Sequence, residues 1–446
     1  MEHREGTIFV HGISELWTPE GKCQAAGSAM GRLNKISGAC IYARSGSLAY
    51  VGEEASLRRA EVDPSHPLHQ LAVEALAAPS FDAAGKSVIP GFVDSHTHFI
   101  FAGWRADEFF WRVQGMPYME IHRRGGGIQN TVNATRAASL EALVELGRRR
   151  LDTMKSLGIT TVECKSGYGL DRDTELRQLE AIARLAGEQP VRIVPTFLGA
   201  HSIPSEYKGR PRAFLEYLVR EVIPEVQSRR LAVFADIFCE KGVFELEDSR
   251  WYLERARDAG FLLKLHADEI EALGGAGLAA ELGAVSAEHL LKASDAHIDA
   301  MASAGTIACL LPLTAFILRE PHARARKFIE SGCAVALASD LNPGSCYSQS
   351  IPLIIALAIL QMGMSLEETL TALTLNGAAA LGLAERTGSL ETGKDADFVV
   401  LDAPSPTHLA YHTGMNIVRE VFIAGRLAWS SAADASVSPH TPQPKR

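Results

Sequence analysis

A chain of 446 residues is long for one compact domain, although a single barrel-type domain with insertions reaches that size. Its 47% hydrophobic and 22% charged residues are the balance of a globular protein, and a net charge of −9 with no basic stripe argues against a nucleic-acid binder. The 7 cysteines are scattered and contain no Cys-x-x-Cys pair, which suits a reducing cytoplasm better than a disulfide framework.

The first residues, Met1 to Gly6, carry no basic-then-apolar leader pattern. Short β-like runs follow at Thr7–Val10, Ala39–Ala43 and Ser47–Val51, and the Ser45-Gly46 pair before the last of these suits a hairpin turn. From Ser87 onward, apolar strand-like runs alternate with amphipathic helical stretches, the pattern of βα units around a parallel sheet. The strands read as Ser87–Val93, Ile159–Glu163, Val191–Phe197, Ala232–Phe238, Phe261–His266, Ala284–His289, Thr306–Leu311 and Ala334–Asp340. They predict an α/β fold, a (β/α)8 TIM-like barrel over residues 85–385. The longest apolar run, Ile351–Leu360, is too short to span a bilayer and reads as a buried helix, so no membrane association is expected. β-like runs return at Gly388–Glu391, Ala396–Asp402 and Val418–Ile423, the last followed by a turn at Gly425. Residues 1–84 and 386–430 are expected to pair into a small β-sandwich domain built from both chain ends, with 431–446 a mobile tail.

The stretch Val93-Asp94-Ser95-His96-Thr97-His98 is the most informative for chemistry. Two histidines one residue apart at a strand end point to the same side, because strand side chains alternate with a period of two. Together they make half of a divalent-metal site. A single histidine is more often structural, but in a barrel the chemistry sits where strands end. There fall His96 and His98 after the first strand, His201 after the third, His266 after the fifth, His289 at the sixth and Asp340 at the eighth. Imidazoles and a carboxylate at five strand ends argue for a metal, and these donors suit zinc and iron alike. The triple glycine Gly125–Gly127 lacks the lysine and spacing of a phosphate cradle and reads as a lid or tight turn.

The pattern His96-x-His98, His266, His289 and Asp340 resembles that of the amidohydrolase superfamily. So does Gly388-Ser389-Leu390-Glu391-Thr392-Gly393-Lys394-Asp395-Ala396-Asp397, which matches a Gly-x-Leu-x-x-Gly-Lys-x-Ala-Asp segment of its members. The resemblance narrows to the imidazolonepropionase family on several blocks. These are His96-Thr97-His98 with Gly103 and Arg105, Gly125–Ile128, Lys165-Ser166-Gly167-Tyr168-Gly169 and Thr196–His201. Glu206–Arg210, His266-Ala267-Asp268-Glu269 and Asp340-Leu341-Asn342-Pro343-Gly344-Ser345 complete the set.

That resemblance implies metal-dependent hydrolysis of 4-imidazolone-5-propanoate to N-formimidoyl-L-glutamate. His96, His98, His266 and Asp340 would hold one metal ion per subunit, divalent or trivalent, zinc or iron, lowering the pKa of a bound water from about 15.7 toward roughly 7. Glu269 would take the water's proton and deliver it to the leaving ring nitrogen, a solvated loop carboxylate being the competing use. His289 would polarise the carbonyl. Arg105 offers a bidentate fork to the anionic substrate's carboxylate. Tyr168 and His201 would contact the substrate, and Asn342, Gly344 and Ser345 would hold substrate or product.

Two departures from relatives stand out. Two-metal members carry a carboxylated lysine at the end of the fourth strand, where this chain has Phe238-Cys239-Glu240-Lys241-Gly242, and Lys165 follows the second strand. One metal is therefore expected. Leu341 stands where many members have Phe, with little effect expected. A deaminase of purine or pyrimidine bases is the alternative enzyme, since it shares the metal pattern but has no use for Arg105. A metal-free scaffold that binds partners is a third reading, and it predicts lost ligands. A homodimer is expected because it is the commonest assembly.

Overall fold

A computed structural model describes the protein over residues 6–116, 120 and 126–431. The expected tail beyond Ser431, the first five residues and Gly125 lie outside them. β1 (Ile8–Thr18) pairs antiparallel with β2 (Asn34–Arg44), which pairs with β3 (Ser47–Glu53). Ser45 and Gly46 between the last two have φ of 52° and 88°, the left-handed pair a two-residue hairpin needs to match strand twist. β4 (Ser80–Asp82) and β5 (Ser87–Pro90) run parallel to β1.

The stretch Ser87–Val93, expected as one barrel strand, divides in two. β5 stays in the end-derived sheet, and β6 (Phe92–Asp94) begins the barrel. Pro90 has no N–H with which to extend a ladder. Gly91 makes the crossing: a Cβ there would lie 2.2 Å from Thr160 Oγ1, so only glycine lets the backbone pass that close. The chain changes sheet at Pro90-Gly91.

The barrel continues in chain order through β7 (Ile159–Lys165), β8 (Arg192–Ala200), β9 (Phe234–Cys239) and β10 (Leu262–Ala267). β11 (Ser286–His289), β12 (Ile307–Leu310) and β13 (Val335–Leu337) complete it, each strand parallel to the next. The eighth strand is shorter than expected because the chain beyond it turns to another task. Asp340 N donates to His96 O at 3.0 Å and His98 N to Leu341 O at 2.9 Å, joining the last strand end to the first. Helices Leu140–Ser156, Arg172–Glu188 and Asp295–Ala304 start at Ser139, Asp171 and Ser294, whose side chains accept a backbone N–H of the first turn. Ile351–Leu360 is a helix, largely buried as expected.

β14 (Phe398–Leu401), β15 (Val418–Ile423) and β16 (Arg426–Ser430) return to the first sheet, β14 pairing with β5. β16 lies beyond the expected last strand, across a turn at Ala424-Gly425. The segment Gly388–Glu391, expected as β, is irregular. It wraps the Lys394 ammonium instead: Nζ donates to Ser389 Oγ at 2.6 Å, and Leu390 N donates to Thr18 Oγ1 at 2.7 Å. The sheet curls so that Ile41 of β2 and Phe398 of β14 share one apolar core. Among the described residues no helix is long and apolar enough to cross a membrane.

Candidate active site

The residues singled out from the sequence gather at the C-terminal ends of the barrel strands. His98, Arg105, Tyr168, His201, His266, Glu269, His289, Asp340, Asn342, Gly344 and Ser345 line one cavity of about 360 Å³, with His96 fully buried beside it. His289 and Asp340 have φ of 67° and 52°, a conformation a non-glycine residue adopts only when its surroundings enforce it. Here the enforcing contacts include the 3.0 Å bond from Asp340 N to His96 O.

Three donor atoms converge. His96 Nε2 and His98 Nε2 are 3.3 Å apart, and each lies 3.5 Å from Asp340 Oδ1. Donors bound at about 2.0–2.2 Å to a tetrahedral ion stand roughly 3.3–3.6 Å from one another, so this triangle fits a metal. His96 also forms a second compact group with His266 and His289. His266 Nε2 is buried with no hydrogen-bond partner among the described residues. Burial, reinforced by the neighbouring imidazoles and Lys165, pushes His96 and His98 well below the ordinary histidine value and keeps both neutral. Neutral imidazole is the form that ligates. Thr314 Oγ1 donates to Asp340 Oδ2 at 2.6 Å, fixing the carboxylate.

Beneath these residues lies a fully buried charged tier. His96 Nδ1 donates to Glu288, and His266 Nδ1 donates to Asp236, 3.0 Å from Oδ2. Each carboxylate fixes the tautomer that turns Nε2 to the cavity. Lys165 Nζ lies 2.8 Å from Asp236 and 2.9 Å from Glu163, and Lys264 Nζ lies 3.3 Å from Glu163 and 3.7 Å from Glu288. Burial works against the Lys165 charge, but these carboxylates outweigh it and hold the ammonium above its ordinary value. Lys165 is thus paired with two carboxylates, and Lys241, the other candidate, is exposed. Glu163, Asp236, Lys264 and Glu288 were not foreseen. Their signal was charge at alternating positions of otherwise apolar strands, as in Glu163-Cys164-Lys165 and Lys264-Leu265-His266.

Burial raises Glu269 to about 7 and lowers His289 to about 4, and their facing atoms are 3.6 Å apart. His201 Nδ1 lies 3.0 Å from Gly167 O, and its ring stacks on that of His98. Arg105 donates from Nε to Glu108 at 2.9 Å and also from Nη2, so one edge of its fork is already engaged. Asn342 lines the cavity and is also engaged within its own loop. Its amide donates to Asp340 O and Ser345 Oγ, and its oxygen accepts from Gly344 N and Ser345 N, all within 2.9 Å. The side chain builds the turn that presents Gly344 and Ser345.

A model of the amidohydrolase family matches residues 87–428. An imidazolonepropionase from Porphyromonas gingivalis is 50% identical over 427 residues, covering 95% of this chain and 98% of that protein. One from Bacteroides fragilis is 53% identical over 412 residues, covering 92% and 96%. Among solved structures, a 5-methylcytosine deaminase from Klebsiella pneumoniae shares the fold, with a TM-score of 0.69 at 16% identity over 98% of this chain and 100% of that one.

Proposed function

The chain belongs to the amidohydrolase family, and within it we propose that it hydrolyses the ring carbonyl C–N bond of 4-imidazolone-5-propanoate, giving N-formimidoyl-L-glutamate in histidine breakdown. The observation that carries this reading is a single cavity holding both a set of metal donors and the Arg105 guanidinium, a fork suited to a carboxylate tail. A base without a carboxylate has no use for the second.

His96, His98, His266 and Asp340 would hold one zinc or iron ion per subunit. When bound, the ion supplies Lewis acidity that makes water a nucleophile at neutral pH. Glu269 takes the proton of the water that attacks the ring carbonyl carbon. As the C–N bond breaks, the same carboxyl gives that proton to the leaving nitrogen. Burial places its pKa at about 7, where either form is accessible near neutrality. His289, lowered to about 4 by burial, stays neutral and offers an N–H to the carbonyl oxygen as charge develops there. His201 donates from Nδ1 to Gly167 O, leaving Nε2 as an acceptor for the ring, with Tyr168 beside it. Arg105 takes the tail carboxylate on the guanidinium edge that Glu108 leaves open. Gly344 and Ser345 line the same end of the cavity, and Asn342 acts through their turn.

We place the enzyme in the cytoplasm as a homodimer that binds neither nucleic acid nor membrane. The free cysteines and the net charge of −9 support that setting. The end-derived strands form a domain beside the barrel. The test is an assay with freshly generated imidazolone propionate beside guanine and cytosine, with metal analysis of the purified protein. Turnover of the imidazolone alone is expected; deamination of either base in its place would overturn the assignment.

A further inference from the structure

Arg105, Glu108 and Arg112 follow one another at about one helical turn along the helix Ala106–Val113, from its N-cap residue to its last turn, a spacing that brings side chains to one face. All three line the cavity that holds the metal donors. Glu108 is almost fully occupied: it accepts two bonds from Arg105 and one from Gly127 N at 2.7 Å. Arg112 is not. Its Nη1 donates to Gly344 O at 3.3 Å, while Nε and Nη2 are buried with no hydrogen-bond partner among the described residues. Unsatisfied buried donors on a charged group are costly, and their presence in a cavity wall points to an acceptor that arrives with a ligand.

Gly344 stands between the two arginines. A Cβ there would lie 2.3 Å from Arg105 Nη1, and the carbonyl of the same residue takes the bond from Arg112. The backbone is therefore pared down where both guanidiniums meet it. Two guanidiniums and one carboxylate leave this wall with a single net positive charge, which one carboxylate neutralises.

Resting on the reaction proposed above, we infer that Arg112 is a second contact for the substrate's carboxylate, gripping it together with Arg105 across Gly344. Glu108 is the positioning residue that holds Arg105. The pair selects a substrate with an anionic tail and discriminates against the same ring with a neutral one. Planar forks with several fixed donors suit such recognition better than a lysine does.

The test compares wild type, Arg112→Gln, Arg112→Lys and Glu108→Gln on 4-imidazolone-5-propanoate and on its propanamide counterpart. Calorimetric binding of imidazole-4-propanoate and imidazole-4-propanamide is measured alongside. Arg112→Gln is expected to raise KM and Kd for the carboxylates by about tenfold to a hundredfold, with kcat nearly unchanged and the amides unaffected. Arg112→Lys should recover part of that loss, and Glu108→Gln should show the same preference for penalising carboxylates. Equal changes for acid and amide, or no change for either, would overturn the inference. A wild type that binds imidazole-4-propanoate better than its amide but fails to hydrolyse the imidazolone would overturn the reaction and leave the carboxylate grip standing.

Discussion

Asp236 Oδ2 lies 3.0 Å from His266 Nδ1 and 2.8 Å from Lys165 Nζ, so one buried carboxylate serves both an imidazole and an ammonium. Burial alone would raise the Asp236 pKa; His266 and Lys165 reverse this and hold the carboxyl far below its usual range. The folded state thus keeps the charge pattern that sets the His266 tautomer.

Replacing Asp236 with Ala should lower metal affinity about tenfold to a hundredfold, since the imidazole loses its orienting partner. It should also cost about 3–5 kcal/mol of stability by leaving Lys165 underpaired in the interior. Competition with a chelator measures the first effect and denaturant unfolding the second. Unchanged affinity beside lost stability would assign Asp236 to the fold alone.

Elemental analysis should find one metal ion per subunit, because Lys165 is held as an ammonium by Asp236 and Glu163. A second equivalent would overturn the one-metal reading. Chelation should abolish turnover, and readdition of zinc or ferrous iron should restore it.

Glu269→Gln is expected to reduce kcat by about 10²–10⁴-fold while leaving binding of imidazole-4-propanoate near wild type. The base form of Glu269 is its carboxylate, so wild-type kcat should fall as pH drops through the Glu269 pKa. That value is about 7 from burial, and a cation bound nearby lowers it, placing the acidic limb at or below that point. The variant should lose this limb. A limb retained in Glu269→Gln would move the base role to another group.

Gly344 does not have a left-handed φ, so alanine is conformationally allowed there and the conflict is with Arg105 Nη1, 2.3 Å from the added Cβ. Gly344→Ala should displace the guanidinium and raise KM by about tenfold to a hundredfold, with the melting temperature little changed. A melting temperature that falls with KM unaltered would show Gly344 to be needed for the loop rather than for Arg105.

The strand periodicity and the residue types that bind metals are local properties, and they were legible in the chain. Alternating apolar runs between Ile159 and Leu337 announced the barrel, and His96, His98, His266, His289 and Asp340 stood out because strand ends are where barrel chemistry sits. The resemblance carried by Tyr168, His201 and Arg105 added the substrate. Tertiary structure alone decided which side of each strand became the interior. Glu163, Lys264 and Glu288 read as ordinary charges until closure of the ring turned their side inward, where only mutual pairing makes burial tolerable. The split of Ser87–Val93 likewise depended on Gly91 meeting Thr160, a neighbour brought close only by folding. The resemblance implied that Asn342 helps hold substrate or product; folding adds that its amide also braces the turn beyond Asp340. Chemical capacity is written residue by residue, but whether a group is free to use it depends on partners that are remote in the chain.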